Sequence, residues 1–242
     1  MACSDMNRFI LLTLALIGFL PASAKAVEAY WLDQYNALMY LGTFRLDAEL
    51  KAMAAKGSST LLLHADSLPA PLSNFIAWRA KTTANMQSIA WIQKPNKINL
   101  RKAAALTGFK GMQVDDHYFN DPPVPLQKLR AMLNTKELWC SFQPKQFSYK
   151  IAKNCDQNDV QIYRQNCKRT GDIAWEMGIT GKPRIAVSAY ADGSQSGAER
   201  ITCIQKDLQT LGTKLFVFKW KNQEVWSKKL WTMLGKTLSN LR

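Results

Sequence analysis

Short apolar runs alternate along the chain with stretches whose apolar positions recur every three to four residues, the pattern of buried strands joined by amphipathic helices. The candidate strands are "ALMYLGTF" (37–44), "STLLLHAD" (59–66), "SIAWIQKP" (88–95), "GMQVDDHYF" (111–119), "ELWCSFQP" (137–144), "VQIYRQN" (160–166), "RIAVSAYAD" (184–192) and "KLFVFKW" (214–220). Between them, "LDAELKAMAAKG", "LSNFIAWRAKTTANM", "NLRKAAALTG", "VPLQKLRAML", "CKRTGDIAWEMGITG" and "GAERITCIQKDLQTLG" carry the helical period, several ending at the glycine that helix C-termini prefer. "EVWSKKLWTMLGKTL" (224–238) supplies a closing helix with an apolar stripe and lysines opposite. Repeated strand–helix units predict a near-minimal (β/α)8 TIM barrel. A doubly wound open sheet has the same alternation, but no glycine-rich phosphate loop follows the first run.

The leader changes what belongs to the domain. Arg8, the apolar run Phe9 to Leu20 and the small residues after it read as a cleaved signal peptide over 1–26, with cleavage after Ala24 or Ala26. The run is short for a membrane span. The expectation is a secreted or periplasmic protein with one barrel domain over 27–242. Cys140, Cys155, Cys167 and Cys203 follow the leader, an even number that suggests disulfides in an oxidising compartment. Cys155 and Cys167 bracket a short segment suited to a staple, though spacing leaves the pairing open. A net charge of +14 suits adhesion to an anionic envelope or a polysaccharide ligand, an acidic one included. Export argues against nucleic acid, and the sequence leaves the oligomeric state open.

Candidate chemistry is sought where strands end, because barrel sites sit at that face and strand residues alternate inward and outward. In "GMQVDD", Gln113 and Asp115 share the inward parity, whereas Met112 and Val114 face the helices. Asp115 is therefore the main catalytic candidate, with Asp116 and His117 as its partners. The other strand ends offer His64 and Asp66, Gln93 and Lys94, Gln143, Gln165, Tyr190 and Asp192, and Lys219 and Trp220. "GSQSG" lacks the serine of a nucleophile elbow, and "GITGKP" is too short for a Walker loop. No CxxC occurs, and two histidines exclude a three-histidine zinc site. No cofactor is expected.

The stretch "GFKGMQVDDHYFNDPPVP" resembles a motif of the glycoside-hydrolase-like 10 family of exported (β/α)8 barrels, through Gly111, Asp115, Asp116, His117, Phe119 and Pro122. The aromatic ending "LFVFKW" is similar to that family's last strand. The resemblance implies hydrolysis of a glycosidic bond in a cell-envelope or extracellular glycan, peptidoglycan strands among the targets. Such hydrolysis ordinarily uses two carboxyl groups. Adjacent aspartates on a strand point to opposite faces, so a partner for Asp115 is expected from another strand: Asp192 first, then Asp66, then Glu224. Trp220, Trp91 and Tyr190 are candidates to stack on sugar rings. Two alternatives use the same residues. One is a deacetylase or phosphodiesterase with a divalent metal on Asp115, Asp116, His117, His64 and Asp66. The other is a barrel that has lost turnover and holds an acidic glycan through its basic surface and mouth aromatics. In the hydrolase reading the substrate-contacting candidates are His64, Asp66, Gln113, His117, Gln143, Tyr190, Lys219 and Trp220.

Overall fold

A computed structural model describes residues 27–163, 165–190 and 195–218. The leader, the closing helix and residues Asp192, Lys219, Trp220 and Glu224 lie outside these described residues. Eight parallel strands close into a barrel in sequence order: β1 (Ala29–Leu32), β2 (Thr60–His64), β3 (Gln87–Ile92), β4 (Gly111–Val114), β5 (Glu137–Phe142), β6 (Gln157–Gln161), β7 (Ile185–Tyr190) and β8 (Lys214–Phe218). Closure is made by β1, which pairs Ala29 with Thr60 on one side and with Phe216 on the other. No helix among the described residues is long and apolar enough to cross a membrane.

Two strand assignments are corrected. "ALMYLGTF" is not the first strand; most of it forms the helix Gln34–Gly42. Asp33 caps that helix, its Oδ1 accepting the Asn36 amide at 2.9 Å, and Asn36, Ala37, Met39 and Tyr40 are buried. A helix buried on more than one side reads as a continuous apolar run, and length alone does not separate it from a strand. The true first strand is the four-residue "AYWL", buried throughout. The sixth strand lies three residues earlier than "VQIYRQN", because it is polar: Gln157, Asn158 and Asp159 are all buried.

Alternation along the strands builds two cores. Ala29, Trp31, Leu62, Ile89, Trp91, Trp139, Ala186 and Phe216 fill the barrel interior. Met112, Val114, Leu138, Cys140 and Val187 face outward into the larger layer under the helices. Gly111 opens β4 where a side chain has no room: a Cβ there would lie 2.3 Å from the Glu137 carbonyl oxygen and 2.9 Å from its Cβ. Both atoms belong to the paired strand, so the clash cannot be relieved by a rotamer change. Gly111→Ala is expected to destabilise the fold by about 3 kcal/mol, read as a lower urea midpoint with unchanged slope. An unchanged midpoint would show that β4 and β5 can separate.

The cysteines pair as Cys140–Cys155 and Cys167–Cys203, with Cα atoms 6.0 and 5.6 Å apart. The Cys155–Cys167 staple is thus replaced by one link from β5 to the turn before β6 and another between the helices Cys167–Glu176 and Gln195–Thr210. Proximity in sequence was a poor guide because the βα connections bring distant segments side by side. Alkylation of the unreduced protein followed by mass spectrometry should find none of these four thiols free. Modification of any of them would contradict the pairing.

Candidate functional site

Strand β4 ends at Val114 and the chain turns at once into the short helix His117–Asn120. Asp115 and Asp116 sit on that turn, and Asp116 has helical backbone angles. Period-two alternation holds only while the backbone is extended. The two carboxylates therefore do not diverge to opposite faces as expected on a strand; they converge. Both are buried, and with the exposed His117 they bring one donor atom each within 4.8 Å of one another.

Each carboxylate is held differently. Oδ1 of Asp115 accepts the Asp116 backbone N–H at 2.8 Å and the Gln161 side-chain amide at 2.7 Å. Oδ2 of Asp116 accepts from the Gln143 amide, while its Oδ1 lies 3.2 Å from Nδ1 of His117. Gln146 supports the turn by donating to the Asp116 carbonyl at 3.1 Å and to Asn120 Oδ1 at 2.8 Å. Burial, joined by the neighbouring charge of Asp116, pushes the Asp115 carboxyl well above the usual carboxylate range. Such a shift favours the protonated acid.

Below this pair lies a carboxylate that the hydrophobic pattern concealed. Asp159 is on β6, fully enclosed, and accepts from Gln113 Nε2 at 2.6 Å and from the hydroxyls of Ser141 and Ser188 at 2.8 Å each. Burial raises its pKa to about 7, against the pull of those three donors. Gln113, expected at the mouth, is instead fully buried inside the barrel between Trp31 and Asp159. Gln161 bridges the layers, donating to Ser141 Oγ at 2.8 Å as well as to Asp115. The legible signal was parity: Asp159 and Gln161 are two apart, as are Gln113 and Asp115.

His64 and Asp66 form a separate unit. The His64 Nε2 contacts Asp66 Oδ1, and its ring packs on Trp91 with centroids 4.5 Å apart. Burial pushes the Asp66 carboxyl up, but His64 and the Lys94 amide, 2.8 Å away, outweigh it and hold Asp66 below the usual range. Both side chains are thus engaged with each other, and the five-residue metal set is not assembled: only Asp115, Asp116 and His117 converge. Gln165 is exposed beyond β6.

Aromatic rings extend across the mouth. Phe218 contacts Trp91, Trp31, Tyr163 and Tyr190, with centroid separations of 5.5, 6.1, 5.7 and 5.8 Å. Tyr190 is a ring expected there from the sequence; Phe218 and Tyr163 are not, and Trp91 is buried in the barrel interior. Burial and the charges of Asp115, Asp159 and Asp116 push the Tyr163 phenol well up, so its hydroxyl stays neutral, hydrogen-bonded with Ser188.

No family model matches this chain, and no curated protein matches it in sequence. Solved structures do match in shape. A β-1,3-glucanosyltransferase from Rhizomucor miehei superposes with a TM-score of 0.50 at 11% identity, over 78% of this chain and 86% of that one. Tryptophan synthase from M. tuberculosis gives 0.51 at 10% identity, over 81% and 84%. The carboxyl transferase domain of Rhizobium etli pyruvate carboxylase gives 0.52 at 9% identity, over 81% of this chain and 40% of that one. What they share with this chain is the barrel. At such identities the likeness concerns fold, and chemistry has to be argued from the site.

Proposed function

We propose that this protein is a glycoside hydrolase of a cell-envelope or extracellular glycan, with Asp115 as the residue that gives the leaving oxygen its proton. The observation that carries the reading is the pair at the end of β4. Asp115 is buried and pushed up in pKa, while Asp116 beside it is met by Gln143 and His117 on its two oxygens. Two carboxyl groups in contrasting environments are how one site supplies both an acid and a negative charge near neutral pH. The rings of Phe218, Tyr163 and Tyr190 offer apolar faces on which pyranose rings stack. The resemblance to the glycoside-hydrolase-like 10 family through Gly111, Asp115, Asp116, His117, Phe119 and Pro122 points the same way. So does the Rhizomucor miehei neighbour, whose structure holds laminaritriose. The tryptophan synthase and carboxyl transferase neighbours mark how little the fold alone selects.

In the proposed reaction, the glycan lies across the mouth with a ring on the aromatic surface. Asp115 protonates the departing glycosidic oxygen as the bond breaks. Positive charge developing on the sugar is stabilised by the Asp116 carboxylate. Water then bonds to the sugar carbon that the leaving oxygen vacated and loses a proton to the site's carboxylates, which restores their starting protonation; Asp192 and Glu224 are the proposed second carboxyls. Asp66 is a weaker one, since His64 and the Lys94 amide already engage its oxygens. Export through the 1–26 leader and oxidation of the four paired cysteines belong to the same proposal.

The test is to incubate the purified protein with peptide-free peptidoglycan strands and with neutral and acidic glucans, then measure new reducing ends. Release from at least one of these glycans is expected, undiminished by chelator. Binding without release would favour the non-catalytic barrel, and loss of activity in chelator would favour metal-dependent chemistry.

A further inference from the structure

Besides the neighbouring Asp116 carboxyl, the Asp115 carboxyl meets two N–H donors, and both fall on the same oxygen. The Asp116 amide and Gln161 Nε2 both donate to Oδ1. A proton on Oδ1 would collide with these donors, so the acid's proton belongs on Oδ2, the oxygen nearer Nδ1 of His117 at 4.0 Å. Whether Oδ1 stays loaded with donors depends on which way the Gln161 amide is turned. Flipped, its oxygen would face Oδ1 and call for a proton there.

The barrel interior decides that orientation. Trp31 Nε1 can only donate, and it donates to Gln113 Oε1 at 2.8 Å, which turns Gln113 Nε2 toward Asp159. Above about pH 7 Asp159 is ionised and can only accept, so there it requires the single hydroxyl hydrogen of Ser141. Ser141 must then accept from Gln161, whose second amide hydrogen is left for Asp115. The chain runs from Asp159 on β6 to Ser141 on β5, returns to β6 at Gln161 and ends on the turn after β4, and each link fixes the next.

We propose that Asp159 is a positioning residue for Asp115: by taking the Ser141 hydrogen it orients Gln161 and confines the dissociable proton of Asp115 to Oδ2. The inference rests on reading Asp115 as a proton donor, but its test needs no turnover. The titratable groups around the chain are Asp116, His117, Tyr163 and the two aspartates themselves.

Two effects of Asp159 on Asp115 have opposite signs, which makes the inference decidable. Through space, the Asp159 charge raises the Asp115 pKa, so its removal alone would lower it. Through the chain, Asp159 keeps a donor on Oδ1 and so favours ionised Asp115; losing that donor raises the pKa. Aspartate carboxyl carbons can be followed by NMR of the selectively labelled full chain during a pH titration, with Asp115→Asn assigning the signal. In Asp159→Asn the Asp115 midpoint should rise by about one pH unit. Ser141→Ala keeps the Asp159 charge and cuts the chain, and it should also raise the midpoint. A midpoint that falls or stays put in Asp159→Asn would overturn the inference. If that variant does not fold, an unmoved midpoint in Ser141→Ala would overturn it instead. A failure to cleave glycan bears on the proposed reaction and leaves this titration intact.

Discussion

Asp115→Asn is expected to lower glycan cleavage by about a thousandfold, roughly 4 kcal/mol in barrier, with circular dichroism and thermal unfolding little changed. Asparagine keeps the shape of the side chain and can still accept at the Asp116 amide, but it has no proton to give. The parent's activity should fall as pH rises through the raised Asp115 midpoint, since only the protonated form is competent. Asp116→Asn should cost less. Burial would still hold the Asp115 pKa up, but the added push of the Asp116 charge would be gone, so the alkaline limb of the profile should move to lower pH. Equal and complete loss in both variants would make Asp116 a direct participant rather than a partner. If the parent cleaves nothing and Asp115→Asn binds glycan like it, the pair is structural.

The second large effect is on stability. Asp159 titrates near 7 in the folded protein against 3.8 for an ordinary aspartate. Below about pH 4 both states carry the proton. Between there and 7 the unfolded chain releases it while the folded chain retains it, so stability falls as pH rises and levels off above 7. Three pH units correspond to about 4 kcal/mol. Asp115 contributes in the same direction. Asp47, Asp66 and Asp156, all held below their ordinary values, act in the opposite sense, below the window where Asp159 dominates. Urea unfolding of the parent should therefore show a lower midpoint at pH 8 than at pH 5. Asp159→Asn should flatten that difference and be the more stable of the two at pH 8. A variant that follows the parent's pH dependence would remove Asp159 as its source.

The barrel was legible because most strands and helices carry their own period. "STLLLHAD", "ELWCSFQP", "RIAVSAYAD" and "KLFVFKW" each contain an observed strand, "SIAWIQKP" covers all of one but Gln87, and "LDAELKAMAAKG" contains an observed helix. Where local pattern and burial disagree, legibility ends. The helix Gln34–Gly42 is apolar on too many sides to show a stripe, and β6 hides polar residues inside the barrel. Asp115 and Gln113 were found by parity, but the position of Asp116 depended on where β4 stops, which hydropathy does not mark. Asp159 was missed because its meaning is relational. Its partners Gln113, Ser141 and Ser188 come from three other strands, and nothing in "QNDVQ" says that they will be there.

The two disulfides lie one after the other along the chain, so neither loop encloses or crosses the other. The four cysteines beyond the leader admit three pairings, and this is the one in which the two closed loops are sequential. Sequence separations of 15 and 36 correspond to about 3 to 4 kcal/mol each if the links act by restricting the unfolded chain. Everything from β1 through β4, including the turn that carries Asp115, lies before the first linked cysteine. Reduction should therefore loosen the later half of the barrel first. The carboxylate pair would then lose Gln143 and Gln161, which come from that half, before losing the strand that bears it.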